Sequence, residues 1–351
     1  MDKQETKIEV GVVGLGLMGS SIITALLISG YKVIAVAPIS EDLDHAPEWV
    51  THYLNESYKH QLIFDSVADY LNKVTFTEDY SALKNCGLVM ECVTENIGIK
   101  KLVYQKIEQN ISEEAILTTN TSAIPIDFLK DHVKHANRFV GVHWAEPAFT
   151  TKFLEIVCST KTDIAIAENL YQMASSWGKE PTLLRKDIRG FITNRIMYAM
   201  YREAFYLVEN GYATIEDVDR SCRNDGGHWM PFCGLFRYMD ITGLQAYYHV
   251  MKDLFPTLNN QTEVPNLIKR IAEDGGTGII NGKGFYNYSK QEAAEWEKAY
   301  EEFAFDIRAL SNKYPIDLIE KRLHSKSEDN ADVKIKASET ISLISEEKNI
   351  Y

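Results

Sequence analysis

Three scarcities bound this 351-residue chain before any motif is read. Cysteine is sparse and unpatterned: Cys86, Cys92, Cys158, Cys222 and Cys233 are odd in number and lack C-x-x-C spacing. That argues against a disulfide framework or a structural zinc site and for buried reduced thiols. Positive charge is short, with 37 lysines and arginines against 50 acidic residues and a formal net charge of −13. Nucleic acid and anionic membranes attract basic surfaces and are poor partners for it, nor does it pull on an anionic substrate at long range. Long apolar runs are missing as well. Nothing approaches the roughly 20 residues of a membrane span, and the opening MDKQETK is too charged for a secretory signal. The expectation is a soluble, cytoplasmic protein with no metal, membrane or nucleic-acid partner. Its length and 45% hydrophobic content suffice for two domains.

What the chain does have is a strand-like run, Ile8 to Val13, leading into Gly14-Leu15-Gly16-Leu17-Met18-Gly19 and then a helix-like run from Ser20 to Ser29. In G-x-G-x-x-G the first glycine permits the tight turn, the second lets backbone N–H groups approach a pyrophosphate, and the third lets helix pack on strand. A second strand, Lys32 to Ala37, follows. After a long insertion (38–74) with helical spacing at Trp49–Leu54 and Leu62–Leu71, strands recur near Leu88–Val93, Ala115–Thr118, Phe139–His143 and Phe153–Val157. This alternation predicts a mainly parallel sheet covered by helices. Near Asp187 the character changes: Ile192, Ile196, Met200, Ala204, Leu207 and Val208 share one helical face, and Asn210-Gly211 supplies a stop. Thr214 with Asp217 and Ser289 with Glu292 mark further helix starts, and Pro315 ends the last helix. The reading is a nucleotide domain over 1–187, an all-helical domain over 188–315, and a charged tail over 316–351 whose stretch from Ser325 to Asp332 is polar enough to be mobile.

Glu155 sits in the middle of an apolar strand, where an ionised group needs a partner. His143 ends the preceding strand, and the loop 144–152 is long enough to return the chain so that the two meet. A glutamate that accepts from one imidazole nitrogen fixes the tautomer and raises the basicity of the other. The alternative is a glutamate on a solvated face and a histidine that only satisfies a strand end. Asn120-Thr121-Ser122 falls at the carboxyl edge of the sheet, where open α/β folds bind ligands and where polar turns also favour these residues. Asn194, at the start of the second domain's first helix, either donates to a substrate oxygen or caps backbone.

Taken together, Gly14/Gly16/Gly19, Glu91 to Asn96 with Lys100, Asn120-Thr121-Ser122, Arg138 to His143 with Glu155, Gly190 to Arg195, and Gly282-Lys283-Gly284-Phe285-Tyr286 resemble the L-3-hydroxyacyl-CoA dehydrogenase family in order and spacing. The resemblance implies a Rossmann-type doubly wound sheet followed by an all-helical domain that forms a homodimer. It implies NAD(P)-dependent oxidation of the secondary alcohol of a 3-hydroxyacyl-CoA-type substrate, with His143 as general base or acid, Glu155 orienting it, and Ser122 and Asn194 holding the reacting oxygen. Gly14, Gly16, Leu17, Met18, Gly19, Glu95, Lys100 and Asn120 lie near the cofactor in this reading.

Three departures bear on ligands. The second strand of an NAD-binding domain ends in Asp or Glu, whereas this one ends Val36-Ala37-Pro38; with no Arg or Lys nearby for a 2′-phosphate, and with Glu41 or Asp42 in reach, NAD is preferred and NADP is left open. Where the family carries an aromatic pair and Asn-Pro after the histidine, this chain has Trp144-Ala145-Glu146-Pro147. The insertion that helps seat CoA in relatives holds Asp42, Asp44, Glu48, Glu56, Asp65 and Asp69 against Lys59 and Lys73, a poor match to a polyphosphate. A non-CoA 3-hydroxy compound, either a free acid or a carnitine-like cation, is therefore as strong a substrate reading as an acyl-CoA. A nucleotide-binding structural protein of the lambda-crystallin type is the alternative of another class. Asn224 to Pro231 reads as an interhelical loop or part of the cleft, and Arg185 and Arg189 as linker charges or anion partners.

Overall fold

The computed structural model describes residues 8–324. The first strands, β1 (Val10–Val13), β2 (Val33–Val36), β3 (Val74–Thr77), β4 (Leu88–Glu91), β5 (Ile116–Thr119) and β6 (Phe139–Trp144), are short and mostly apolar. A strand covered by helices on both faces has no solvated side, so it reads as a continuous apolar run rather than an alternation. With β7 (Leu154–Cys158) and β8 (Thr182–Leu184) they form one sheet in the order β3-β2-β1-β4-β5-β6-β7-β8. Neighbours run parallel except at β6 and β7, so β7 and β8 oppose the rest. The edge strands β3 and β8 escaped the sequence reading because they are short and only partly buried, which weakens their hydrophobic signal.

One face of the sheet is covered by α1 (Leu17–Ile28), α2 (Asp42–Lys59), α3 (Val67–Leu71) and, further along the chain, a helix over Ile164–Ser175; the other face is covered by α4 (Ile97–Glu108) and α5 (Ile126–Leu129). The Ile164–Ser175 helix is α6. Every residue of α1 from Gly19 to Leu27 is buried, as expected of a helix that is apolar all round. Beyond β8 come α7 (Thr193–Glu209), α8 (Ile215–Asn224), α9 (Gly226–Thr242), α10 (Leu244–Leu254), α11 (Asn266–Glu273) and α12 (Lys290–Lys313). Thr214 caps α8 by accepting from the Asp217 N–H at 3.1 Å, and Gly211 closes α7 in the left-handed region at φ 72°. The 225–231 segment differs from the expected loop: apart from Asp225 it is helical, and α9 is broken instead at Gly234 (φ 67°), three residues after Pro231.

The described residues up to Glu203, joined by Lys290–Phe305, form one compact unit; Ala204–Ser289 with the described residues from Asp306 onward form another. The sequence boundary at 187 thus differs from this partition, because the start of α7 stays with the sheet and the first two-thirds of α12 returns to it. Phe305 is the reason for that return. Its ring stacks on His60 at 4.3 Å and 6° and lies 6.1 Å from Phe149. Of the charged tail, only residues 316–324 fall among those described, and the stretch 325–332 lies outside them. The cysteines are free, with Cys86 and Cys158 buried and Cys222 exposed rather than buried.

Candidate active site

The antiparallel rung between β6 and β7 decides the chemistry. His143 and Glu155 are direct partners in the register, so both side chains leave the sheet on the same face. His143 Nδ1 lies 2.9 Å from Glu155 Oε2, and the two residues are 7% and 1% exposed. Glu155 Oε1 accepts from the N–H groups of Ile192 and Thr193, each at 3.0 Å. Those donors are aimed by two consecutive left-handed residues, Gly190 (φ 79°) and Phe191 (φ 52°). A left-handed phenylalanine is uncommon and carries strain; here its ring is buried beside the imidazole, 5.6 Å away, while Phe153 meets the imidazole edge-on at 5.3 Å. Burial alone would raise the Glu155 pKa, but the bond to His143 and the two backbone donors outweigh it and hold the carboxyl below its ordinary value. An ionised glutamate only accepts, so Nδ1 is the nitrogen that donates to it, and a neutral imidazole so held leaves its lone pair on Nε2.

At the neighbouring strand end, Ser122 and Asn194 are brought together: the Asn194 side-chain amide donates to the Ser122 carbonyl at 2.9 Å. Glu95 Oε1 accepts from the Thr121 hydroxyl and from the N–H groups of Ser122 and Ala123 at 3.1 and 3.2 Å. Burial opposes the charge on Glu95, yet these bonds and Lys100 hold its pKa low. Lys100 is fully buried, bonded to Glu91 at 2.8 Å and 3.5 Å from Glu95, and so presents no surface of its own to a ligand. Tyr104 and Thr119 donate to the same Glu91 carboxylate at 3.0 and 2.7 Å. The sequence reading passed over this network, and the signal that could have found it is Glu91, a carboxylate closing an apolar strand nine residues before a lysine. Asn120 ties strands together, its side-chain oxygen accepting from Trp144 N–H at 2.9 Å.

The glycine turn separates two requirements. A Cβ on Gly14 (φ 98°) would stand 2.8 Å from the Cys92 and Val93 backbone, and one on Gly19 would stand 1.9 Å from the Gly14 carbonyl. Both glycines answer to packing. Gly16 is different, because a Cβ there would meet nothing within 4 Å. Its missing side chain leaves room for something outside the protein, directly before α1, whose first turn holds no acidic residue and whose start has no side-chain cap. An open cradle at a helix N-terminus with unclaimed N–H donors suits a pyrophosphate. Leu17 there is 53% exposed, while Met18 packs inward, so its contribution is the main chain.

Glu146 follows β6 and turns toward α1. The Ser21 hydroxyl bonds to its carboxyl and accepts from Ala148 N–H at 2.7 Å, while its Oε2 is buried without a partner among the described residues. Lys179, near it, donates to the Ala148 and Thr151 carbonyls. Ser21 and Lys179 carry no motif and were missed from sequence. Arg185 is paired with Glu168 at 2.7 Å, and the Arg189 carbonyl accepts from Arg195 at 3.4 Å.

Residues 9–188 match the model of the 3-hydroxyacyl-CoA dehydrogenase NAD-binding domain, and 190–288 match that family's C-terminal domain. The chain belongs to the 3-hydroxyacyl-CoA dehydrogenase family. As a member it is an oxidoreductase that uses NAD, with the sheet as its NAD-binding domain. It is similar to the 5-formyl-3-hydroxy-2-methylpyridine 4-carboxylate 5-dehydrogenase of Mesorhizobium japonicum, 30% identical over 289 residues, with 81% of this chain and 91% of that protein covered. A solved structure of a 5-dehydrogenase for the same pyridine acid, described as an NAD+-dependent dismutase, superposes with a TM-score of 0.79 at 28% identity, covering 86% of this chain and 97% of that one. The family member (S)-3-hydroxybutyryl-CoA dehydrogenase of Ralstonia eutropha superposes at 0.67 and 26% identity, covering 81% and 100%. Among the described residues no group of three His, Cys, Asp or Glu is placed to hold a metal, and no helix is long and apolar enough to cross a membrane.

Proposed function

We propose that this dehydrogenase oxidises the secondary alcohol of a small 3-hydroxy compound that is not a CoA thioester, using His143 as the base. NAD, when bound at the glycine turn, supplies the hydride acceptor. His143 Nε2 takes the hydroxyl proton, and Glu155 stabilises the imidazolium that results, which the 2.9 Å contact to Nδ1 supports. Ser122 and Asn194, joined at one strand end, hold the reacting oxygen; Glu95 braces the Ser122 turn. In reverse the same groups return the proton to a carbonyl.

The acidic start of α2 carries the choice of substrate. Asp42, Asp44, Glu48 and Glu56 face the single lysine Lys59 on that helix, and a polyphosphate needs cations. The relative from Mesorhizobium, named for a pyridine carboxylate, supports a compact substrate; the 3-hydroxybutyryl-CoA relatives keep the thioester as the second reading. The test is NADH absorbance with matched free-acid, ammonium-bearing and CoA-thioester 3-hydroxy compounds, run on the wild type and on His143→Ala. Turnover of the CoA-free members is expected, with a loss of about 10²- to 10⁴-fold in the variant and unchanged NAD affinity. Turnover confined to the thioester overturns the substrate reading, a fully active variant overturns the base, and no turnover at all returns the crystallin-like structural role.

We further propose a homodimer joined through the helical unit. Helices α8 to α11 contain no buried residue, and helices that leave their apolar faces uncovered need a partner.

A further inference from the structure

At the end of β2 the chain lacks the carboxylate that an NAD-binding sheet uses to accept the adenosine ribose hydroxyls. The position is unambiguous: Val36 is paired with Val13, and its carbonyl accepts from Gly14 N–H at 3.0 Å. Ala37 follows, buried and without a polar side chain. Yet a carboxylate does reach the glycine turn from elsewhere. Asp42, the first residue of α2, places Oδ2 3.4 Å from the Leu15 N–H, between Gly14 and Gly16. Its other oxygen has no hydrogen-bond partner among the described residues, and the side chain is only half-buried. An acidic residue in a first helical turn is ordinary, and Asp44 serves the helix in that way. That role does not explain why Asp42 is folded back across 27 residues onto the turn.

A second observation marks the same edge. A cavity of about 420 Å³ opens at the ends of β2 and β3, walled by Pro38 and by Tyr80, whose buried hydroxyl has no partner among the described residues. Glu78 and Asp79 also line it, against one cation, Lys106, held over the Tyr80 ring at 5.4 Å. A flat wall of ring and proline suits a purine, and two carboxylates repel a 2′-phosphate.

We propose that Asp42 is the ribose acceptor for the adenosine half of NAD, supplied from helix α2 in place of the missing strand-end acid, and that its charge discriminates against NADP. This rests on the use of NAD, which titration of the wild type checks separately. Asp42→Ala, Asp42→Asn and the neighbouring control Glu41→Ala are compared by calorimetric titration with NAD and with NADP, alongside thermal melts. Loss of charge-assisted bonds to ribose is expected to weaken NAD by about 10- to 100-fold in Asp42→Ala, while NADP binding holds or tightens and Glu41→Ala behaves as wild type. Should Asp42 only brace the Leu15 amide, both cofactors will weaken together, and the assignment fails. It fails equally if Asp42→Ala keeps wild-type NAD affinity, or if Glu41→Ala takes the loss instead. Asp42→Asn keeps an oxygen for Leu15 and removes the charge; an unchanged NAD-to-NADP preference in this folded variant also overturns the proposal.

Discussion

Glu146 and Glu155 are glutamates on the same hairpin with opposite electrostatic fates. Glu155 meets a histidine and two N–H donors and stays ionised; Glu146 has one hydroxyl and an oxygen left bare, and burial pushes it up to about 7 against the pull of Ser21 and Lys179. A carboxyl whose folded pKa lies above its unfolded value, 4.5 in this case, keeps its proton in the folded state while the unfolded chain has already released it. The contribution of this carboxyl to stability therefore falls as pH rises from 4.5 to about 7 and levels off above that. Glu146→Gln is expected to melt higher than wild type at pH 8, with the gap closing at pH 5. Melting curves at the two values decide this, and an equal difference at both would show that Glu146 is not the group titrating.

The glycine turn and the β6–β7 hairpin show what an element demands beyond its residues. Gly14→Ala forces a Cβ against fixed backbone at a positive φ and is expected to lower the melting temperature sharply, whereas Gly16→Ala meets only open space and should fold as wild type while losing most of its NAD affinity. Thermal melts paired with NAD titration separate the two, and loss of stability in both would mean that Gly16 also serves packing. Much of this was legible in the chain. Three glycines after an apolar strand announce the turn, and a glutamate inside Phe153–Val157 asks for a partner at a spacing that a return loop can supply. What spacing could not convey was the register that sets His143 opposite Glu155, or the N–H pair of Ile192 and Thr193, since backbone donors leave no trace in side-chain identity. Ser21 and Lys179 were hidden for a related reason, since each meets a partner far away in the chain; the sequence placed Glu41 or Asp42 in reach of the turn, and packing decides for Asp42.

On the scale of the whole molecule, the proposed dimer rests on helices α8 to α11, none of whose residues is buried. Phe236 is 79% exposed, with Ile241 and Tyr248 also largely bare, far more apolar area than a solitary soluble unit normally leaves in water. Sedimentation equilibrium is expected to return about twice the 40.0 kDa of one chain; a monomer at micromolar concentration would refute the dimer. Phe305 has a different consequence, one that belongs to synthesis. His60 and Phe149 wait for a ring encoded far downstream of both. At roughly 5 to 20 residues per second, the nascent nucleotide-binding half emerges from the ribosome several seconds before Phe305, and until then the apolar surface under that ring stays open to water.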